Sequence, residues 1–265
     1  MKYIFFFFGL FATYSQTINP EDTEVWEPEP IVINAGKTGS PPSDAIILFD
    51  GSDLLNWKNS KSGKTANWTI NNDKSMTIKQ DGGIETVEEF GSIQFHIEWK
   101  SPKDVKGNGQ GRGNSGVIFQ RRFEIQILDS YNNRTYSNGQ AASVYKQYPP
   151  LVNASKGPNQ WQTYDIVFME PTYGNSGEEI KPGSIIVFHN DVLVQNNVIL
   201  KGTTEYIGEP QKGKEVISKY MQTFKNPKEN LKKTIVLQDH GNPCLLYTSD
   251  AADDLLCVDL GGRRI

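Results

Sequence analysis

Short runs of alternating apolar and polar residues, separated by turn residues, recur along most of this chain. In residues 92–101, SIQFHIEWKS, every second side chain from Ile93 to Trp99 is apolar. Because successive side chains of a strand point to opposite faces of its sheet, this pattern predicts strands with one buried face. Residues 184–197 alternate on both sides of Asn190-Asp191, which predicts a hairpin turn. Many such strands predict an all-β fold, an antiparallel sandwich or jelly roll.

The N-terminal 44 residues lack this pattern. Residues 1–15 contain one lysine, an apolar run and then small residues, which predicts a signal peptide. The run is shorter than the roughly 20 residues that a membrane-spanning helix needs, so no transmembrane segment is expected. Residues 16–44 are rich in proline, acidic and small residues, which predicts a linker. We therefore expect a secreted or periplasmic protein, with the cell surface as an alternative.

Residues 244–265, CLLYTSDAADDLLCVDLGGRRI, resemble a translated sequencing adapter. A transposase mosaic end encodes CLLYTS, and the adapter arm encodes DAAD and then CVDLGGRRI, in the same order. We interpret this segment as adapter-derived and leave it out of the fold argument. Both cysteines, Cys244 and Cys257, lie in it. No disulfide and no thiolate metal site is therefore expected in the remainder of the chain.

Charge and loop composition disfavour two classes of ligand. The formal net charge of -4 gives no attraction for nucleic acid. The Gly-rich basic loop at 103–114, KDVKGNGQGRGN, lacks the GK[ST] ending and the following helix of a phosphate-binding loop, so no nucleotide cofactor is expected. One amphipathic helix is predicted at 212–226. The sequence favours no particular oligomeric state.

Polar side chains occupy one face of two predicted strands. Glu124 and Gln126 alternate with the apolar residues of 123–129, and in 235–240 Gln238 and His240 point opposite to Ile235 and Leu237. On a jelly roll, the face opposite the core is the usual sugar groove. These side chains are therefore candidates for a sugar-facing site, and the alternative is the wet side of a solvated sheet. His96 and His189 are predicted to be surface residues.

Several segments together resemble one family. They are LFDGSDLLNW (48–57), IETVEEFGSIQFHIEWK (84–100), GNSGVIFQRRFEIQILDSY (113–131), TYSNGQAASVYKQYPPLVNASKGPNQWQTYDIVF (135–168), VFHNDVLVQNNVIL (187–200) and LQDHGNP (237–243). Residues 45–243 are similar to the 3-keto-disaccharide hydrolase domain, also described as a 3-keto-glucoside 1,2-lyase and 3-keto-2-hydroxy-glucal hydratase domain. The resemblance implies a concanavalin-like double-sheet jelly roll. Family members continue after GNP with one more strand, so it also implies that the last native strand is missing here.

The resemblance implies a saccharide or glycoside substrate and a particular chemistry. A ketone at C3 acidifies the C2 proton, a base removes that proton, the C1 substituent leaves, and water adds back. The catalytic candidates are Glu124, His240 and Gln126, with Glu124 or His240 as the base. The substrate-binding candidates are Arg121, Arg122, Trp161 and Gln238, of which Trp161 is either a stacking platform or a core residue. One divalent metal ion is a further expectation, without assigned ligands.

Two other functions remain open at this stage. A lectin-like module of the same fold would bind sugar without a catalytic base. An ordinary glycosidase would need a second carboxylate within about 5–10 Å of Glu124.

Overall fold

The computed structural model describes residues 19–37, 40–214, 216 and 233–241, together with the backbone of 246–248 and 256–259. The chain divides into two compact units, residues 1–33 and 34–265. The described part of the first unit contains a single 3-10 turn, Pro20–Thr23. The predicted signal peptide lies outside the described residues, as does most of the predicted helix 212–226. No helix in the described part of the chain is long and apolar enough to cross a membrane.

Within the described residues, the second unit is built from β-strands and two further 3-10 turns, Gly109–Gly111 and Ser137–Gly139. The strands are β1 (Ile46–Ile47), β2 (Trp57–Asn59), β3 (Thr69–Ile70), β4 (Ser75–Thr77), β5 (Ile84–Thr86), β6 (Ile93–Lys100), β7 (Ser115–Phe119), β8 (Phe123–Ile127), β9 (Gln162–Met169), β10 (Thr172–Tyr173), β11 (Glu179–Lys181), β12 (Ser184–His189), β13 (Val192–Ile199), β14 (Ile235–Leu237), β15 (Leu246–Thr248) and β16 (Leu256–Asp259). Every pairing between them is antiparallel. The predicted all-β class is confirmed.

The strands form two large sheets and a small ribbon. The first sheet has the order β13-β12-β9-β6-β15-β4-β3, and β16 pairs with both β6 and β1. The second sheet has the order β2-β5-β14-β7-β8, and β10 pairs with β11 separately. The second sheet carries the strands on which the sequence places Glu124, Gln126 and Gln238, so it positions the candidate site.

Aromatic rings from both sheets meet in the core. Phe119 of β7 packs edge-on against Phe95 of β6, with ring centroids 5.7 Å apart, and stacks on Phe168 of β9 at 4.9 Å. All three side chains are buried. Phe123, Ile125 and Ile127 of β8 belong to the same core, as the alternation predicts. The two sheets thus enclose one apolar layer, which confirms the predicted double-sheet fold.

Two strands follow residue 243, where the sequence analysis predicts that the closing strand is missing. The backbone of 246–248 pairs with β4 and β6, and that of 256–259 pairs with β6 and β1. These strands lie in the segment interpreted as adapter-derived, so the absence of the last native strand stays a prediction. Backbone N–H and C=O groups make these pairs, and nearly any sequence provides them. The pairs consequently do not test whether 244–265 is adapter-derived.

The predicted hairpin at Asn190-Asp191 is confirmed, but the surface position predicted for His189 is wrong. Asn190 and Asp191 join β12 to β13 and both have positive φ, 51° and 65°, as a two-residue hairpin turn requires. His189 shares a face with Ile185 and Val187 by the period of two, and that face is buried. Its ring therefore points into the core.

Candidate active site

A cavity of about 720 Å³ lies over the face of the second sheet that is opposite the core. The residues that line it are Gln110, Gly111, Asn114, Glu124, Gln126, Tyr136, Tyr145, Lys146, Tyr206, Gln238 and His240. Four of the seven residues singled out from the sequence are among them, namely Glu124, Gln126, Gln238 and His240. This volume is in the range of small-molecule binding sites.

Strand register explains why these side chains share one face. Glu124 and Gln126 of β8 lie opposite Ile118 and Gly116 of β7, and residues directly opposite each other in a pair point to the same face. Just beyond the end of β14, the Gln238 backbone N–H donates to the Gly116 carbonyl at 3.0 Å. β7 thus lies between β8 and β14, and it fixes the position of Glu124 and Gln126 relative to Gln238.

Glu124 and Gln126 point away from the core and are nevertheless buried, with only 3% and 1% of their surface exposed. Two loops cover them, and both are bonded to the peptide groups of Glu124. The Glu124 N–H donates to Thr204 Oγ1 at 3.1 Å, and its carbonyl accepts from the Tyr145 N–H at 3.0 Å. The alternative that Glu124 and Gln126 lie on a solvated face of the sheet is therefore wrong. Both residues lie in the wall of a covered cavity.

Amide side chains form the floor of the site near Gln126. The Gln126 Nε2 group donates to Asn114 Oδ1 at 2.8 Å, and Asn114 Nδ2 donates to the Gln110 carbonyl at 2.9 Å. Oε1 of Gln110 and Oε1 of Gln238 are buried and have no hydrogen-bond partner among the described residues. Buried acceptors of this kind are suited to the hydroxyl groups of a sugar, because leaving them unpaired costs free energy.

Three tyrosines and a lysine form the opposite wall. The hydroxyls of Tyr136 and Tyr145 are 2.9 Å apart. Nζ of Lys146 lies 5.0 Å from the ring centroid of Tyr136 and 5.2 Å from that of Tyr206, within the range of cation–π contacts. Burial raises the pKa of Tyr145, and the Tyr136 hydrogen bond and the charge of Glu124 raise it further. Both phenols are therefore neutral hydrogen-bonding groups near pH 7, since burial also raises the pKa of Tyr136.

These four wall residues are not among the candidates that the sequence pattern indicates. They lie on irregular segments, where no periodicity indicates the direction of a side chain. The signal that could have found three of them is the stretch TYSNGQAASVYKQ (135–147), which contains two tyrosines and a lysine and is also part of the family resemblance.

The structure places Arg121 away from the cavity, so its assignment as a substrate-binding residue is corrected. Gln120 and Arg121 form the turn between β7 and β8, with φ of 52° and 55°, and the turn breaks the alternation of the strands. The Arg121 guanidinium is fully buried, and its Nε donates to Glu85 Oε2 at 2.7 Å. It is thus part of an internal ion pair.

Arg122 also has a structural position, and its assignment is corrected in the same way. Its Nη1 donates to the Tyr173 hydroxyl at 3.0 Å, and its Nη2 bonds the Lys214 carbonyl. Its own carbonyl accepts from the Thr204 N–H at 2.8 Å. Arg122 thereby holds the loop that carries Tyr206, but it does not itself line the cavity.

Trp161 is neither a core residue nor part of the cavity. It lies just before β9, is partly exposed, and has the Lys100 ammonium 4.5 Å from its ring centroid. Since it does not line the cavity, its assignment as a substrate-binding residue is also corrected.

Acidic groups and metal ligands are sparse around the cavity. Among the described residues that line it, Glu124 is the single carboxylate. This disfavours the ordinary glycosidase arrangement, which flanks the bond with two carboxyl groups. In the part of the chain that the structure describes, no group of three His, Cys, Asp or Glu side chains comes together. The donor set of the described residues therefore does not fit the usual protein metal sites.

Comparison with known proteins agrees with this architecture. The family model of the 3-keto-alpha-glucoside-1,2-lyase-like domain matches residues 44–246. The chain belongs to this family. The match confirms the family resemblance seen over residues 45–243. Membership of the 3-keto-alpha-glucoside-1,2-lyase-like family supports a carbohydrate-active, hydrolase-like function and a saccharide substrate.

Solved structures support the fold of this family member. The chain is similar to a "putative glycosyl hydrolase" from Parabacteroides distasonis ATCC 8503, with 36% identity and a TM-score of 0.81, over 94% of this chain and 100% of that one. A second structure of that description from the same organism has 18% identity and a TM-score of 0.53, over 82% of this chain and 94% of that one, and shows the fold alone. No curated protein matches the chain.

Proposed function

We propose that this chain is an exported enzyme that cleaves 3-keto-glycosides by elimination across C1 and C2, followed by hydration. The family match supports the substrate class. The observation that carries the proposal is the composition of the cavity, in which one buried carboxylate, Glu124, lies with His240, amide groups and neutral phenols. A direct glycoside hydrolysis needs a pair of carboxyl groups, whereas removal of an acidified C2 proton needs one base.

In the proposed first step, the Glu124 carboxylate takes the proton from C2 of the sugar. The electrons of the C2–H bond form a C2=C3 double bond, and the C3 carbonyl oxygen becomes an oxyanion. Hydrogen-bond donors of the wall and floor stabilise this charge. Glu124 is the better candidate for this base because it is buried, while His240 is exposed at the rim.

In the second step, the oxyanion reforms the C3 carbonyl and a C1=C2 double bond forms as the C1–O bond breaks. The leaving oxygen keeps the electron pair of that bond and is protonated. His240 lies at the exposed side of the cavity, where a leaving group departs, so we assign it as this acid. Addition of water then puts a hydroxyl on C1 and a proton on C2, so that the net reaction is hydrolysis.

A divalent metal ion is a second candidate for stabilising the C3 oxyanion. Its support is weaker, because the described residues bring together no set of three His, Cys, Asp or Glu ligands. No step above depends on a metal. Turnover that survives extensive treatment with a chelator would favour the protein donors, and turnover that is lost and restored by a divalent ion would favour the metal.

The experiment that tests the proposal compares a 3-keto-glucoside with the matching plain glucoside. We expect release of the aglycone from the keto substrate alone. Glu124→Gln should lower kcat by about 10²–10⁴-fold, the usual contribution of a general base. The exposed Glu89→Gln variant is the matched control and should retain the native rate. Sugar binding without turnover of either glucoside would instead identify a lectin-like module.

A further inference from the structure

We propose that the Tyr145 hydroxyl is the donor that stabilises the C3 oxyanion, and that Tyr136 is a positioning residue that orients this hydroxyl. The inference rests on the proposed function, because the oxyanion forms only when the C2 proton is removed. It assigns to one side chain a role that several groups of the cavity could fill.

The amide groups of the floor offer few free donors. Gln126 Nε2 donates to Asn114 Oδ1 at 2.8 Å and to the Ile127 carbonyl at 3.1 Å. Gln110 Nε2 likewise makes two bonds, at 3.2 Å and 2.7 Å, to acceptors of the segment 135–139. An amide nitrogen carries only two protons. These two side chains therefore have no N–H left for a ligand, and an oxyanion needs donors.

Strand pairing places Tyr145 beside the proposed base. Val144 forms an antiparallel bridge with Ile125 of β8, so Tyr145 lies directly opposite Glu124. The Tyr145 N–H donates to the Glu124 carbonyl at 3.0 Å, as this register requires. Directly opposite residues point to the same face, with their β-carbons about 5 Å apart. Two such neighbours can reach the proton on C2 and the oxygen on C3, which are on adjacent carbons of the sugar.

The hydroxyl of Tyr136 completes the arrangement. It lies 2.9 Å from the Tyr145 hydroxyl. Each phenol has one proton. When Tyr145 donates to the sugar oxygen, the proton between the two hydroxyls must therefore come from Tyr136. Donation by Tyr136 polarises the Tyr145 hydroxyl and strengthens its bond to the oxyanion.

Burial distinguishes the two phenols. Tyr145 is 7% exposed and Tyr136 is 38% exposed. Tyr145 is thus the phenol at the buried end of the cavity, with Glu124. Burial raises the pKa of Tyr145, so the hydroxyl keeps its proton near pH 7 and acts as a donor, not as a base.

Two contacts hold Tyr136 in place before a substrate binds. Its ring lies against Gly139 of the turn Ser137–Gly139, where an added β-carbon would collide with the ring. The Lys146 ammonium lies 5.0 Å from the ring centroid, within cation–π range. A donor pair that is fixed in advance needs no reordering when charge develops on the sugar.

The kinetic test measures kcat and KM for a 3-keto-glucoside in the native protein, Tyr145→Phe, Tyr136→Phe, the double variant and Tyr131→Phe. Each change removes a hydroxyl and keeps the ring. Tyr131 is exposed and does not line the cavity, so its variant is the control and should retain the native kcat. We expect Tyr145→Phe to lower kcat by about 10²–10³-fold, the usual loss for one oxyanion donor, with KM nearly unchanged.

The double variant tests whether Tyr136 acts through Tyr145. Tyr136→Phe should lower kcat by about 10-fold in the native background, as expected for one hydrogen bond. In the Tyr145→Phe background it should cost less than about twofold, because the two residues act as a unit. Equal losses in both backgrounds would overturn the positioning role. Native kcat in Tyr145→Phe would overturn the donor.

A binding measurement separates this inference from the proposed reaction. Ascorbate has a C2=C3 double bond and an ionised oxygen on C3, so it is a stable mimic of the oxyanion. L-gulonolactone has the same carbon skeleton without either feature and is the matched control. Both are titrated calorimetrically into Glu124→Gln, whose neutral side chain represents the base after it has taken up the proton.

We expect ascorbate to bind Glu124→Gln at least about 10-fold more tightly than the lactone, and the addition of Tyr145→Phe to abolish this preference. If the native protein turns over no keto substrate yet Glu124→Gln shows this pattern, the proposed function fails and the oxyanion site stands. No preference for ascorbate, or a preference that survives Tyr145→Phe, would overturn the inference.

Discussion

The α-carbon of Gly116 lies directly against the carboxylate of Glu124. A β-carbon at residue 116 would come within 2.5 Å of Glu124 Oε1 and 2.9 Å of its Cδ. Gly116 of β7, which lies between β14 and β8, therefore leaves room beside its backbone for the Glu124 carboxylate. This contact sets the position of the proposed base.

Gly116→Ala should therefore impair catalysis more than folding. The carboxylate is the far end of a flexible side chain, so it shifts away while the sheet remains intact. We expect kcat to fall about 10²-fold, as for other small displacements of catalytic groups. The melting temperature should change by only a few degrees. Gly157→Ala, whose added β-carbon would meet its nearest atom at 3.4 Å, is the control. Native kcat in Gly116→Ala would contradict the proposed role of Glu124.

Arg121 should matter for stability and not for substrate. Glu85 Oε2 accepts from Arg121 Nε at 2.7 Å and from Thr234 Oγ1 at 2.9 Å, in a fully buried setting. Arg121→Met leaves the buried carboxylate without its main partner, so we expect a loss of about 3–5 kcal/mol in the free energy of unfolding. Urea denaturation measures it. The double variant Arg121→Met with Glu85→Met should recover much of the loss. KM of the folded single variant should equal the native value. A raised KM would show that Arg121 does contribute to substrate binding.

His189 should make the protein less stable in acid. Burial lowers the pKa of His189 to about 3, and the charge of Lys156 contributes. Its ring stacks on Trp99, with centroids 6.0 Å apart, and its Nε2 lies 3.2 Å from Gln162 Oε1. The unfolded chain binds a proton below about pH 6.5, while the folded protein does not until about pH 3. Unfolding therefore takes up a proton in this window, and stability falls as the pH is lowered through it.

The measurement for His189 compares the native protein with His189→Gln by urea denaturation between pH 7.5 and pH 4.5. Relative to the variant, the native protein should lose about 1.4 kcal/mol per pH unit below roughly pH 6. The carboxylates are common to both proteins, so their contribution cancels in the difference. A difference that does not depend on pH would show that His189 binds its proton as readily in the folded protein as in the unfolded chain, and would contradict the lowered pKa.

The part of the site that lies on strands could be predicted from the sequence. A period of two places Glu124 and Gln126 on one face of β8, and it places Gln238 and His240 opposite the apolar side chains of their segment. The same rule would have placed His189 inside, since it shares the parity of Ile185 and Val187. The period of two does not give the pairing between strands. The register of β7 with both β8 and β14 brings Glu124 and Gln126 into the same cavity as Gln238 and His240.

The part of the site that lies on loops could not be predicted from strand periodicity, and the aromatic residues of 135–147 mark a segment without giving the direction of its side chains. Tyr145 and Tyr206 reach the cavity because their segments bond to the peptide groups of β8, and such long-range hydrogen bonds leave no local pattern. Arg121 was misassigned for a related reason. Gln120 and Arg121 form a tight turn with two positive φ values, but neither is a residue type that favours such a turn. The sequence therefore does not show that the turn changes the direction of the Arg121 side chain.

The central claim is that a base in this cavity, Glu124, removes the C2 proton of a 3-keto-glycoside. The most direct test measures kcat/KM for aglycone release from a 3-keto-glucoside that carries either hydrogen or deuterium at C2. We predict a primary isotope effect in the native protein, release that is nearly abolished in Glu124→Gln, and no release from the plain glucoside. Two results would contradict the mechanism. One is an equal kcat/KM for the two isotopic substrates when the chemical step limits the rate. The other is cleavage of the plain glucoside at a rate comparable to that of the keto substrate.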